Sequence, residues 1–306
     1  MTTNYAASGT LWKNVFSSTW MLAGLALAGT LQAAPPSHFD VMVADSQATI
    51  YAFNPQTGQQ AIIAQGDKLD RPYDLARDRD GNIVVSDTGT LRIVQVNPST
   101  GQQTVLAEGG ALGVPFGIDV DSQNRVYVAN SQEIVTVAPG GVPQMLAQGG
   151  LLQVPLDVAV GADGGLYVAD ALAGVIRIDL VTKQQTLIAH GGFLQAPTGI
   201  TTDGKHTAYV VDGGGRCLVA VDTQRGTQKL VSAAGLLTTP VGVAFSAGTL
   251  LVSDPDAFQL DGGVMMIGQD GTQTPLLRGS GELVNPRGIV MVPAFLSATT
   301  TVKSSR

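Results

Sequence analysis

The phrase "RPYDLARDRDGNIVVSD", residues 71–87, returns along the chain as "PFGIDVDSQNRVYVAN", "PLDVAVGADGGLYVAD" and "PTGITTDGKHTAYVVD". Its prolines and their counterparts, Pro72, Pro115, Pro155, Pro197, Pro240 and Pro286, are separated by 43, 40, 42, 43 and 46 residues. Leucine stands three positions before each of them, at Leu69, Leu112, Leu152, Leu194, Leu237 and Leu283. A repeat of this length is a supersecondary unit that cannot bury its apolar face alone, so its copies must stack. Within a period, four short β-rich runs are separated by polar turns, among them Asp80-Gly81, Asp163-Gly164, Asp203-Gly204 and the hairpin "NPSTGQQ". Four antiparallel strands per period predict a propeller blade. No segment after residue 34 keeps an i, i+3, i+4 apolar pattern for three turns, so helical architectures are excluded.

The predicted fold is therefore all-β, a six-bladed β-propeller with four antiparallel strands per blade. Its sixth copy is split. "PRGIVMVP", residues 286–293, supplies one strand, while residues 38–70 supply three strands with no leading one. Pairing of the N- and C-terminal strands in this last blade would close the ring, giving a propeller over residues 38–293 and a flexible tail over 294–306. Residues 1–34 read as a signal peptide, because "WMLAGLALAGTLQAAPP" is an apolar stretch preceded by Lys13 and followed by small residues suited to cleavage near Ala33 or Ala34. Left uncleaved, it would be a membrane anchor, although it is short for a span of about 20 residues. Either way the expectation is a periplasmic or secreted protein.

Both tryptophans, Trp12 and Trp20, lie in this leader, which counts against a lectin built on indole platforms. The chain carries a net charge of −7. Such a chain lacks the basic footprint that holds phosphate backbones, so no nucleic-acid partner is expected. Cys217 is the only cysteine. It excludes an intramolecular disulfide and a thiolate cluster, and within "RCLVAVD" it reads as a small buried hydrophobe.

The repeated phrases resemble the NHL-repeat family of six-bladed propellers, whose entry strand "P-x-G-[IV]-A-V" and second strand "[IV]-Y-V-[AT]-D" are matched closely by Pro155 to Val160 and Leu166 to Asp170. The resemblance implies the fold more sharply than the function, since such relatives include protein- and RNA-binding modules, extracellular sensors and a few enzymes. Members with a signal peptide imply a periplasmic or secreted binding module.

In an antiparallel blade the start of the first strand and the end of the second lie at one edge. The axial rim of that face is the expected ligand site, formed by Tyr73-Asp74, Phe116-Gly117, Leu156-Asp157, Thr198-Gly199, Val241-Gly242 and Arg287-Gly288. Asp45, Asp87, Asn130, Asp170, Asp212 and Asp254 repeat in every blade and read as turn caps, not as a metal ring. The exceptions to the repeat are the candidates for function. Asp74 and Asp157 put carboxylates where four blades have glycine. Arg287 is the cation of that rim, available for an ion pair with Asp74 or for an anionic ligand. Tyr73 and Phe116 offer apolar faces, Thr198 a hydroxyl. Loops on a rigid scaffold often carry specificity, which adds Arg216 in "DGGGR" and Asp256 in "DPDAFQLDGG". Asp254, Asp256 and Asp261 are hard oxygen donors of the kind Ca²⁺ takes, without the spacing of an EF-hand loop. No cofactor and no metal site is otherwise expected.

Enzymes of similar fold set the alternative. Regucalcin-type and gluconolactonase-like hydrolases hold a metal through Glu, Asn and Asp on the axial rim, where the corresponding neighbours here are Thr198, Val241 and Arg287. Streptogramin lyases and peptide-amidating lyases depend on histidine, and none of His38, His190 and His206 falls on the rim. The sequence therefore favours an exported non-catalytic binding module for a small molecule or protein on the axial face. A metal-dependent hydrolase or propeller lyase at that face is the alternative.

Overall fold

Runs such as "VYVAN" at Val126–Asn130 and "GLYVAD" at Gly165–Asp170 carry apolar side chains at successive positions, which suits a strand covered on both faces. Fourth strands such as "QTVLAE" at Gln103–Glu108 interleave polar residues and suit an outer edge. The computed structural model, which describes residues 41–55, 57–279 and 283–292, realises both expectations. The second strands Ile83–Asp87, Val126–Asn130 and Gly165–Asp170 are buried end to end, and the outer strand Gln103–Glu108 is partly exposed.

There are six sheets of four antiparallel strands, arranged as a propeller. Five follow chain order, as in the first blade with Pro72–Arg77, Ile83–Asp87, Arg92–Val96 and Gln103–Glu108. The sixth joins Pro286–Met291 to Val41–Asp45, with Val41 opposite Met291 and Asp45 opposite Pro286. The ring is latched as the split repeat predicts. The signal peptide (1–34) and tail (294–306) lie outside the described residues.

Each repeated residue has a visible task. The leucines are buried between blades: Leu69 packs with Ile50 and Ile63 of the closing blade and with Val85 and Val94 of the first. The Asp caps are fully buried at the ends of second strands. One oxygen of Asp170 accepts the Leu172 and Ala173 N–H groups, the other those of Gln153 and Val154, at 2.8–3.0 Å. At the latch, Asp45 accepts from Gln47 on its own turn and from Val284 and Asn285 at the far end of the chain. A cap therefore ties its turn to the segment entering the same blade's innermost strand. Cys217 is buried, and loss of solvation, followed by the Asp212 charge, pushes its thiol up to about 11. It is an inert core residue at neutral pH.

A ladder of glutamines, unforeseen from the sequence, links neighbouring blades. Gln103, Gln185, Gln228 and Gln273 each accept a backbone N–H from the preceding inter-blade turn, at Lys68, Leu151, Phe193 and Leu236. The long loop after Asp254 contains a short helical turn over Ala257–Leu260, with Phe258 and Gln259 at φ of 54° and 67°.

Candidate functional site

The innermost strands start with a slip in register. Pro72 lies opposite Asp87 but Asp74 opposite Ser86, so Tyr73 is the extra residue of a β-bulge. The same one-residue slip follows Pro155 and Pro197, and it falls between Pro115 and Ile118 and between Pro286 and Ile289. Bulges re-aim side chains. They put Tyr73, Phe116, Thr198 and Arg287, four of the expected site residues, on the rim of the axis.

Below the rim, an innermost strand has no sheet neighbour on its axial side, and its free N–H groups need acceptors. Carboxylates from the preceding blade supply them. Ile118 N–H donates to Asp74 at 2.9 Å, Val160 N–H to Asp119 at 2.7 Å and Ile200 N–H to Asp157 at 2.7 Å. The three acids form a staircase across four consecutive blades. Asp74 and Asp157 also lie within hydrogen-bonding reach of each other.

Burial raises all three acids above the usual carboxylate range, and the backbone N–H bonds only partly offset it. Asp119 is pushed up to about 6. The Asp74 charge is the second cause at Asp157. Two carboxyls this close cannot both ionise cheaply, so the pair holds a shared proton near neutrality.

The glycines of this layer serve their neighbours more than they open the axis. A methyl group on Gly117 would overlap Asp157, and one on Gly288 would overlap Asp74, at both side-chain and Cα atoms. On Gly199 it would meet the Val241 carbonyl, and on Gly242 the Arg287 carbonyl. Glycine stands in the blade before each of these aspartates because the acid of one blade fills the space of a side chain on the preceding one.

On the rim, the Tyr73 and Phe116 rings meet edge to face, 5.3 Å between centroids at 71°. Burial raises the Tyr73 phenol, Asp157 and Asp74 add to the rise, and Arg287 opposes it. The phenol therefore stands near both acids and the guanidinium. Arg287 does not pair with Asp74 and enters none of the ion pairs among the described residues. Its backbone is held instead, with Ser253 Oγ donating to its carbonyl. The Thr198 hydroxyl is committed to the Pro240 carbonyl at 2.7 Å.

The other candidates stand apart from the axis. Arg216 is exposed, with Nε donating to the Leu237 carbonyl at 3.3 Å. Asp256 is half-buried in the loop turn, its N–H donating to Asp254. Asp254 also accepts from Thr238 and Thr239, so three backbone groups occupy the central acid of the Ca²⁺ candidate set. Among the described residues there is no group of three His, Cys, Asp or Glu side chains arranged to hold a metal ion. His190 lines a groove beside Leu172 and Leu187, away from the axis, and the His206 carbonyl accepts from Thr223 at a hairpin. His38 lies outside the described residues.

Two axial residues escaped the sequence reading: Asp119, and Arg77 at the far end of the first innermost strand. Their signal was present. At the place of Asp119 the other blades have Ala76, Ala159, Thr201, Ala244 and Val290, and at that of Arg77 they have Val120, Val160, Thr202, Phe245 and Met291.

No family model matches the chain, and no curated protein matches it. Among solved structures it is similar to a chain of the nidogen/laminin complex, at 16% identity and a TM-score of 0.72 over 83% of this chain and 98% of that one. It is also similar to catalytically inactive virginiamycin B lyase from Staphylococcus aureus with quinupristin, at 14% identity and a TM-score of 0.61 over 83% of this chain and 89% of that one. At these identities the likeness is one of fold, and the chain is a six-bladed β-propeller.

Proposed function

We propose that the protein is an exported, non-catalytic binding module of the NHL type, recognising a small molecule or a protein partner on the axial rim. The observation that carries this reading is Arg287, a cation on a bulge with its backbone fixed by Ser253 and its guanidinium in no ion pair among the described residues. Beside it, Tyr73 and Phe116 offer a phenol and an apolar edge. The ligand has an anionic or acceptor group for Arg287 and an apolar body for the rings. Export rests on the apolar leader, and the NHL assignment on Pro155 to Val160 and Leu166 to Asp170. A chain of this fold also occurs in the nidogen/laminin complex, which supports protein binding as one use of such a propeller.

Hydrolase and lyase readings have less support. Burial and mutual repulsion keep the paired acids Asp74 and Asp157 from ionising together, and no described histidine lines the axis. A thermal-shift screen of anionic small molecules and acidic peptides against wild type and Arg287→Gln tests the proposal. Ligands should stabilise the wild type and lose most of that effect in the variant. Equal stabilisation of both proteins by every ligand found contradicts it.

A further inference from the structure

The axis holds a second feature on the other side of the acid pair. A cavity of about 170 Å³ runs from Asp74 and Asp157 to the opposite ends of the innermost strands, at Arg77, Ser246 and Met291, without touching Tyr73, Phe116 or Arg287. It has room for several waters or one small organic molecule. Its wall is mixed in an orderly way. Asp119 presents a carboxylate, Thr201 and Ser246 carry hydroxyls, and Phe245 and Met291 are apolar.

Arg77 is the unexplained member. Its Nε is buried with no hydrogen-bond partner, and the residue enters none of the ion pairs among the described residues. A buried, unsatisfied donor on a cation is costly, and proteins retain such groups where a ligand completes them. The Asp119 oxygens each accept one backbone N–H, from Val120 and Val160, and keep lone pairs for another donor. The wall therefore asks for an acceptor at Arg77 and a donor at Asp119.

We propose that this cavity is a second binding site, entered from the face opposite the rim, for a small amino or hydroxy carboxylic acid. The carboxylate meets Arg77, the amine or hydroxyl meets Asp119, and the short carbon chain lies along Phe245 and Met291. This site is independent of the rim site, and either can exist without the other.

The test uses the full chain and four probes at millimolar concentration: 4-aminobutyrate, 4-hydroxybutyrate, butyrate and butylamine. Calorimetric titration should show binding of the first two and much weaker binding of the last two, each of which lacks one end. Arg77→Met should weaken the first two by about ten- to a hundredfold, with a melting temperature in the absence of ligand equal to or above wild type. Ser246→Ala, a smaller change at the strand end, should weaken them about three- to tenfold. Val181→Ala, on an exposed hairpin far from the cavity wall, should leave them unchanged. Failure of both bifunctional probes to bind, unchanged affinity in Arg77→Met and Ser246→Ala, a marked loss of stability in Arg77→Met, or an equal loss in Val181→Ala each overturns the proposal.

Discussion

Asp74 and Asp157 belong to blades separated by a third, yet their carboxyls lie within hydrogen-bonding reach of each other, Asp157 packed against Gly117 and Asp74 against Gly288. Each also holds a backbone N–H of the next blade, Ile118 and Ile200. The pair links the innermost strands of four consecutive blades through a contact that no single repeat contains.

The first prediction is an inverted pH dependence. The ordinary carboxylate value is 3.8, and folding raises Asp74, Asp119 and Asp157 above it. The folded state therefore binds more protons, and the stability these groups contribute is fully present below about pH 4 and is lost as pH rises through their folded values. Thermal melting between about pH 5 and pH 8 should show the protein more stable at the acid end. Asp157→Asn can still accept from Ile200 and can donate to Asp74. It should flatten this dependence and match or exceed wild type at the alkaline end. A melting temperature that rises with pH contradicts the shared-proton assignment.

The glycines opposite the acids should not tolerate even a methyl group. Gly117→Ala and Gly288→Ala would strike Asp157 and Asp74 at backbone as well as side-chain atoms, so rotamer changes cannot relieve them. Each should cost about 1–3 kcal/mol in denaturant unfolding. Losses within a few tenths of a kcal/mol would mean that the innermost strands are looser than described.

Closure of the ring can be tested at Asp45. Asp45→Ala removes the acceptor for Gln47 and for Val284 and Asn285 at the other end of the chain. A buried N–H left unpaired costs about 1–3 kcal/mol, and a whole domain has only about 5–15 kcal/mol. Deletion of Pro286–Met291, which removes the buried Ile289 and its neighbours, should abolish cooperative melting. An unchanged melting curve for the deletion contradicts closure through this strand.

Hydrolase chemistry gives a fourth outcome to measure. Added divalent ions should bring no turnover of simple sugar lactones above background, because the oxygens of Asp74 and Asp157 are engaged by neighbouring backbone. Metal-dependent hydrolysis lost in Asp74→Asn or Asp157→Asn would replace the binding reading with a lactonase.

Much of this architecture was legible because it repeats. Proline, the leucine before it and the closing aspartate mark each blade at nearly constant spacing, and the split copy announced the latch. Contacts one period apart were harder to read. Asp74 reaches Ile118, Asp119 reaches Val160 and Asp157 reaches Ile200, and nothing within one copy says that a side chain is spent on the next. Glycine at Gly117 and Gly288 therefore looked like open space at the axis, although it is room for a neighbouring carboxylate. Arg287 and Asp74 looked like a pair across the closure, but Asp74 turns toward Ile118 and Asp157. Asp119 and Arg77 sit farther along the strand, beyond the rim layer on which the sequence drew attention to exceptions.

The central claim is that repeated residues build the ring and that the rim exceptions Arg287 and Tyr73 bind. Its most direct test is to measure melting temperature and dissociation constant together, for a rim ligand found by thermal-shift screening, in wild type, Arg287→Ala, Tyr73→Ala and Asp170→Ala. Loss of one charge-assisted hydrogen bond costs about 1.5–3 kcal/mol, so Arg287→Ala should weaken binding about ten- to a hundredfold at near-wild-type stability, with Tyr73→Ala changing in the same direction. Asp170→Ala, which leaves four backbone N–H groups without their acceptor, should melt markedly lower and bind normally below its melting temperature. Abolished binding in Asp170→Ala at unchanged stability, with normal binding in Arg287→Ala and Tyr73→Ala, would contradict the account.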